Sequence, residues 1–129
     1  MHRFEEKNGY LRMNLSGHLG AEEMKEWFES SKVAAQRSGP PPLVMVDLRE
    51  MSVLPKEAIP MMEEAQRTAK KNGLVRSVVV VKSAILQMQF QRIAKGTGIS
   101  DKERYISAET NPNWEKAAED WLLSGIEPA

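Results

Sequence analysis

Two side chains carry titratable chemistry where an α/β fold can use it: Asp47, closing the apolar run Leu43 to Val46, and His18, in the loop Ser16-Gly17-His18-Leu19-Gly20. Asp47 can act as a general base or metal ligand and His18 as a proton carrier, if folding brings them within hydrogen-bond reach. That pairing defines a hydrolase hypothesis using Asp47 and His18. Against it, a single carboxylate at a strand end commonly caps the amides of its own loop. His2 is the only other imidazole, and no spaced set of metal ligands accompanies His18. The chain has no nucleophile elbow, phosphate-cradling glycine loop or HExxH helix, and Gly96-Thr97-Gly98 reads as a helix cap with a turn rather than a nucleotide fingerprint. The expectation is that the protein is not an enzyme and needs no cofactor or metal.

These residues must be positioned by regular elements. Asn8-Gly9 predicts a type I′ hairpin turn, since both central positions need positive φ. The strand after it, Tyr10 to Ser16, alternates Leu11, Met13 and Leu15 with Arg12 and Asn14. Met24, Trp27, Phe28, Ser31 and Ala35 share one stripe of a helix over about Ala21 to Arg37, which Gly39-Pro40-Pro41-Pro42 ends. A third strand, Leu43 to Leu48, leads through a polar loop to a helix beginning near Ile59, with a loose turn at Pro55 to Ala58 and Pro60 in the first turn. The four valines of Arg76 to Lys82 suit a central parallel strand covered on both faces. Ser83 to Lys95 fits both periods, but a parallel strand pair needs a crossover, which predicts a helix there, capped at Gly96. A short strand over Arg104 to Ser107 follows, and Asn111-Pro112 supplies an N-cap and first-turn proline for a final helix with Trp114, Ala117, Ala118, Trp121 and Leu122 on one face. The order β-β-α-β-α-β-α-β-α predicts an α/β fold with a mixed, mostly parallel five-stranded sheet and four helices, a single domain over residues 1–129.

Composition narrows the functions. Lys plus Arg and Asp plus Glu number 18 each, so no overall field points to nucleic acid. Nine basic side chains against two acidic ones lie between residues 66 and 104. That segment includes Arg67, Lys70, Lys71, Arg76, Lys82, Arg92 and Lys95, and their spacing suits solvent-facing helix sides. Cysteine is absent, which excludes disulfides and thiolate chemistry. There is no secretory-type apolar segment at the N-terminus and no transmembrane segment, so a cytoplasmic location is expected.

The Ser16-Gly17 loop, VMVDLREMSVL after the third strand, the valine strand, RYIS and the terminal AAEDWLL together resemble a STAS-type domain, the fold of bacterial anti-sigma-factor antagonists. More narrowly they resemble the SpoIIAA-like group, also described as STAS/SEC14-like. In the antagonists the third strand is followed by D-L-x-x-V-x-x-x-D-S-S-G, whose serine is phosphorylated by a partner kinase. Laid over DLREMSVLPKEA, that pattern puts Pro55, Lys56, Glu57 and Ala58 where D-S-S-G would stand, so the phosphorylatable serine is lacking.

The resemblance implies a non-catalytic binding or regulatory module acting through the loop after the third strand, with Asp47, Arg49, Glu50, Met51, Lys56 and Glu57 meeting a protein partner. Its SEC14-like side implies the alternative, a carrier or sensor of an apolar small molecule or lipid held between helices, with Met61, Met62, Trp27 and Phe90 lining the site. Methionine and aromatic side chains make adaptable apolar pockets, although at helical spacing they also make plain core. An exposed methionine or tryptophan patch would favour a homodimer.

Overall fold

Asn8 and Gly9 both adopt positive φ, 49° and 88°, and fold β1 (His2–Lys7) back on β2 (Tyr10–Leu15) as an antiparallel hairpin. The computed structural model describes residues 1–128. From the hairpin the chain alternates helix and strand: α1 (Ala21–Ser38), β3 (Leu43–Asp47), a single 3-10 turn (Lys56–Ala58), α2 (Ile59–Lys71), β4 (Arg76–Val81), α3 (Ala84–Thr97), β5 (Glu103–Ser107) and α4 (Trp114–Ser124). The sheet order is β1-β2-β3-β4-β5, with every pair after the hairpin parallel. The expected α/β fold, mixed sheet and four helices are all present, including a helix over the ambiguous Ser83 segment.

The sheet is covered unequally. Three helices, α1, α2 and α3, pack over one face, on Met13, Leu15, Val44, Val79 and Val81. Among the described residues, only α4 covers the other, through Ala118, Trp121 and Leu122 on Tyr10, Met45, Val78, Val80 and Ile106. The valines of β4 divide between the two layers because side chains alternate across a strand. All four are buried, and each contributes roughly 1.5–3 kcal/mol by leaving water. The basic residues of segment 66–104 are divided in the same way. Arg76 lies beneath α4, its Cζ 5.9 Å from the Trp121 ring centroid, whereas Arg67, Lys70 and Lys71 are exposed on α2.

Two terminal details differ from expectation. The left-handed cap of α3 falls at Gly98 (φ 87°), not Gly96. Thr97 is buried, with its hydroxyl 2.6 Å from Gln66 Oε1 on α2, and this contact keeps Thr97 within the helix. Asn111 does not cap α4. Its Oδ1 accepts from the Asn113 N–H at 2.9 Å, an Asx turn that places Pro112 ahead of the helix, which starts at Trp114.

Candidate functional site

Because β2 to β5 run parallel, their ends form two edges of opposite character, and the candidate sites lie one on each. At the carboxyl edge, Asp47 is the last residue of β3 and is buried on the α4 face. Arg12 and Asn14, on the same face of neighbouring β2, reach it at 2.8 Å and 3.1 Å. Arg49 bends back over the strand end and donates its backbone N–H and Nε to Asp47 Oδ1 and its Nη2 to Oδ2, at 3.1, 3.0 and 2.9 Å. Burial alone would raise the Asp47 pKa, but the hydrogen bonds from Arg49 and Arg12 outweigh it and hold the carboxyl below its ordinary range.

The cluster extends into α4. Arg12 Nη1 donates to Glu115 Oε2 at 3.1 Å. The Arg49 guanidinium lies 4.2 Å from the Trp114 ring centroid, with that of Arg12 at 5.8 Å. Asp47 thus ties β2, β3, the following loop and the start of α4 into one joint. A carboxylate that accepts this many bonds has no lone pair left for substrate. His18 is exposed and makes no hydrogen bond to Asp47 among the described residues, so the pair needed for hydrolysis is not assembled. No group of three or more His, Asp or Glu is placed to hold a metal among the described residues.

The loop after β3 is pinned rather than free. Ser83 Oγ donates to the Ser52 carbonyl at 2.6 Å, and the Gln89 amide bonds both backbone groups of Leu54, at 2.8 and 2.9 Å. Met51, Leu54 and Ala58 point into the core. Between the two pins Val53 faces solvent, and Ile85 and Met88 on the facing helix α3 are 64% and 60% exposed. Of the six loop residues expected to meet a partner, Glu50, Lys56 and Glu57 are exposed and Arg49 is half-buried. Asp47 and Met51 are buried, so they shape the loop from beneath. Val53, Ile85, Met88 and Gln89 were not singled out from the sequence. A helix pattern alone marks Ile85 and Met88 as off the core stripe, but only the fold places them beside the loop.

The amino edge holds a cavity of about 580 Å³ between α1, α2 and the sheet. Its origin is local. The first half of α1 reaches the core with Met24, Trp27 and Phe28. Further along, the helix turns Ser31, Ala34, Ala35 and Ser38 inward, and these are too short to fill the space above β2 and β3. The exposed hairpin turn at Asn8–Gly9 and the exposed residues of Gly39–Pro42 stand at the rim. Trp27, Met62 and Phe90 line the cavity, whereas Met61 packs on the same core without lining it.

The cavity wall also contains polar groups. Glu103, the first residue of β5, accepts from Ser77 Oγ at 3.0 Å and from the Tyr105 hydroxyl. Burial pushes its carboxyl up to about 7, against the opposing pull of those hydrogen bonds. Gln66 and Trp27 line the same wall and are 7% and 4% exposed. No sequence signal marks Glu103, because a charged residue opening a strand ordinarily faces water.

No protein-family model matches the chain, and no curated protein matches its sequence. Among solved structures, the chain is similar to an anti-sigma factor antagonist from Mycobacterium paratuberculosis. The TM-score is 0.59 at 16% identity, over 93% of this chain and 94% of that one. The architecture described above, a mixed five-stranded sheet with four helices, is therefore the SpoIIAA-like fold of that antagonist.

Proposed function

We propose that the protein is a non-catalytic regulatory binding module that meets a protein partner through the loop after β3 and the adjoining start of α3. The observation that carries this reading is the pinned loop. Hydrogen bonds from Ser83 and Gln89 fix the backbone at Ser52 and Leu54, so Val53 is presented at little entropic cost beside exposed Ile85 and Met88. Glu50, Lys56 and Glu57 supply a charged border, the arrangement of an apolar centre with a polar rim. The saturated Asp47 supports a non-catalytic role. With Pro55, Lys56, Glu57 and Ala58 in place of the phosphoacceptor motif, the module works without a phospho-switch.

A Val53→Asp, Met88→Glu double variant tests this reading. Proteins retained from a lysate by the tagged wild-type chain should be lost from the folded variant, and hydrogen exchange at residues 50–57 and 84–89 should slow when an isolated partner is added. Retention of the same proteins by both chains would refute it.

The amino-edge cavity favours a second reading, a carrier or sensor of an apolar small molecule. Its volume lies within the range of ligand pockets, about 300–1,000 Å³, and Trp27, Met62 and Phe90, though not Met61, are among its lining residues. Mass spectrometry of the natively purified protein tests this directly. A copurified small molecule is expected, and the absence of any mass shift together with no uptake of added benzene would remove the reading.

A further inference from the structure

The basic residues between 66 and 104 regroup once the chain is folded. Arg76 lies beneath α4, Arg104 is paired with Glu127 at 2.7 Å, and Arg67 stands 4.0 Å from Glu64. Arg92 and Lys95, on the outer side of α3, are exposed and make no ion pair or hydrogen bond among the described residues. Nothing within α3 offsets them, because Ala84–Thr97 includes no acidic side chain. Lys70 of α2 joins this end of the helix, with its ammonium group over the Gly98 cap in the space a Cβ there would take. Asp101, exposed in the turn after α3, forms no ion pair with any of the three among the described residues.

These cations continue the apolar contact surface. Ile85, Met88, Arg92 and Lys95 fall within an arc of about 80° on one side of α3, a stripe roughly 15 Å long. Its first half is apolar. Ile85 and Met88 are exposed, with Val53 beside them on the loop that Ser83 and Gln89 hold. Its second half is cationic.

Such a surface selects its partner by charge. A segment that covers the apolar half must pass Arg92 and Lys95, where basic side chains are repelled and carboxylates gain both attraction and faster encounter. A helix laid along α3 has the same rise per residue, so apolar side chains followed by carboxylates meet the four positions in turn. A broad anionic lipid surface fits less well, because Glu50 and Glu57 are exposed beside the apolar half and would face it.

Resting on the partner-binding reading, we propose that α3 docks an acidic amphipathic helix of the partner protein. Its apolar residues cover Val53, Ile85 and Met88, and its carboxylates, about two turns along, pair with Arg92 and Lys95.

Selection with the full-length chain from a displayed library of four-turn helices, randomised along one face, tests this directly. The enriched peptides should carry apolar residues at one end of that face and Asp or Glu about two turns away. An enriched peptide should bind the Arg92→Glu, Lys95→Glu variant about tenfold more weakly, since two exposed attractions become repulsions. Changing the peptide's acidic residues to lysine should restore binding to that variant. Arg92→Gln, Lys95→Gln should show a smaller loss of the same sign, which decides the matter if the reversed variant does not fold. Enrichment without acidic residues, equal binding to wild type and variant, or no enrichment at all overturns the inference. So does binding to phosphatidylserine vesicles that the charge reversal abolishes when no peptide is enriched, which would assign the stripe to a membrane. A partner that is lost from Val53→Asp, Met88→Glu but indifferent to the charge reversal overturns the inference while the binding module stands. Indifference to both variants removes that reading as well.

Discussion

The two buried carboxylates of this sheet sit at opposite ends of the parallel strands β3 and β5, with β4 between them, and meet opposite fates. Asp47, at the carboxyl edge, is surrounded by Arg12, Arg49 and Asn14 and held ionised. Glu103, at the amino edge, has only the hydroxyls of Ser77 and Tyr105, and burial pushes its carboxyl up to about 7. Both residues are almost inaccessible, 3% and 4% exposed, so depth does not distinguish them. The partners do. Guanidinium groups compensate the lost hydration of a carboxylate, while neutral hydroxyls compensate it only in part. One edge is consequently a sealed structural joint and the other a pocket whose wall changes charge near neutral pH.

The sharpest way to break this contrast is Asp47→Ala. It leaves Arg12 and Arg49 without their shared anion and should destabilise the fold by roughly 3–5 kcal/mol in urea unfolding. A loss below about 1 kcal/mol would show that the carboxyl edge is not held by this cluster. Because the Asp47 pKa is depressed, its contribution is present above the ordinary value of 3.8 and fades as pH falls through the folded value.

Glu103 has the opposite sign. Its raised folded pKa favours the protonated form, so its stabilisation is full below 4.5 and is lost as pH rises towards and through about 7. Relative to a Glu103→Gln variant, the wild type should lose about 3 kcal/mol between pH 4 and pH 8, the free energy of a shift of this size. Parallel stability curves for the two proteins would contradict a buried, uncompensated carboxyl at this edge.

Smaller effects sharpen the same contrast. Ala35→Leu should fill the cavity from α1 and stabilise the protein by about 1 kcal/mol while abolishing benzene uptake. A destabilised Ala35→Leu that still binds benzene would mean that the void lies elsewhere. Ile85→Glu, on the solvent side of α3, should change stability by less than about 0.5 kcal/mol while weakening partner capture. Unchanged capture would remove α3 from the contact surface.

Local signals in the sequence were sufficient for most of the architecture. Asn8-Gly9 announces its turn, Gly39 to Pro42 stops α1, and the need for a crossover decides the helix at Ala84–Thr97. The site residues were legible only in part. The position of Asp47 at a strand end follows from the apolar run, but Arg12 lies 35 residues away and becomes its partner only through the parallel register of β2 on β3. Trp114, which stacks on Arg49, is 65 residues from it. The cavity is a deficit of side-chain volume along Ser31, Ala34, Ala35 and Ser38, and a deficit shows only once the opposing surface is fixed. The helix assignments at Gly96 and Asn111 failed for a shared reason. In each case a side-chain hydrogen bond, from Thr97 in one and to Asn111 in the other, moved the boundary.

The three prolines at the rim of the cavity bear on how quickly it exchanges its contents. Pro40 to Pro42 have φ fixed before the chain folds, so this side of the opening has little freedom to lose or to regain. It offers no N–H to a passing molecule, and the Pro42 carbonyl already accepts from the N–H groups of Val75 and Arg76. The Asn8–Gly9 turn, another exposed part of the rim, carries no such proline lock. Stiffening that turn should slow both entry and escape and leave the equilibrium occupancy to the interior, making the hairpin a governor of residence time rather than of affinity.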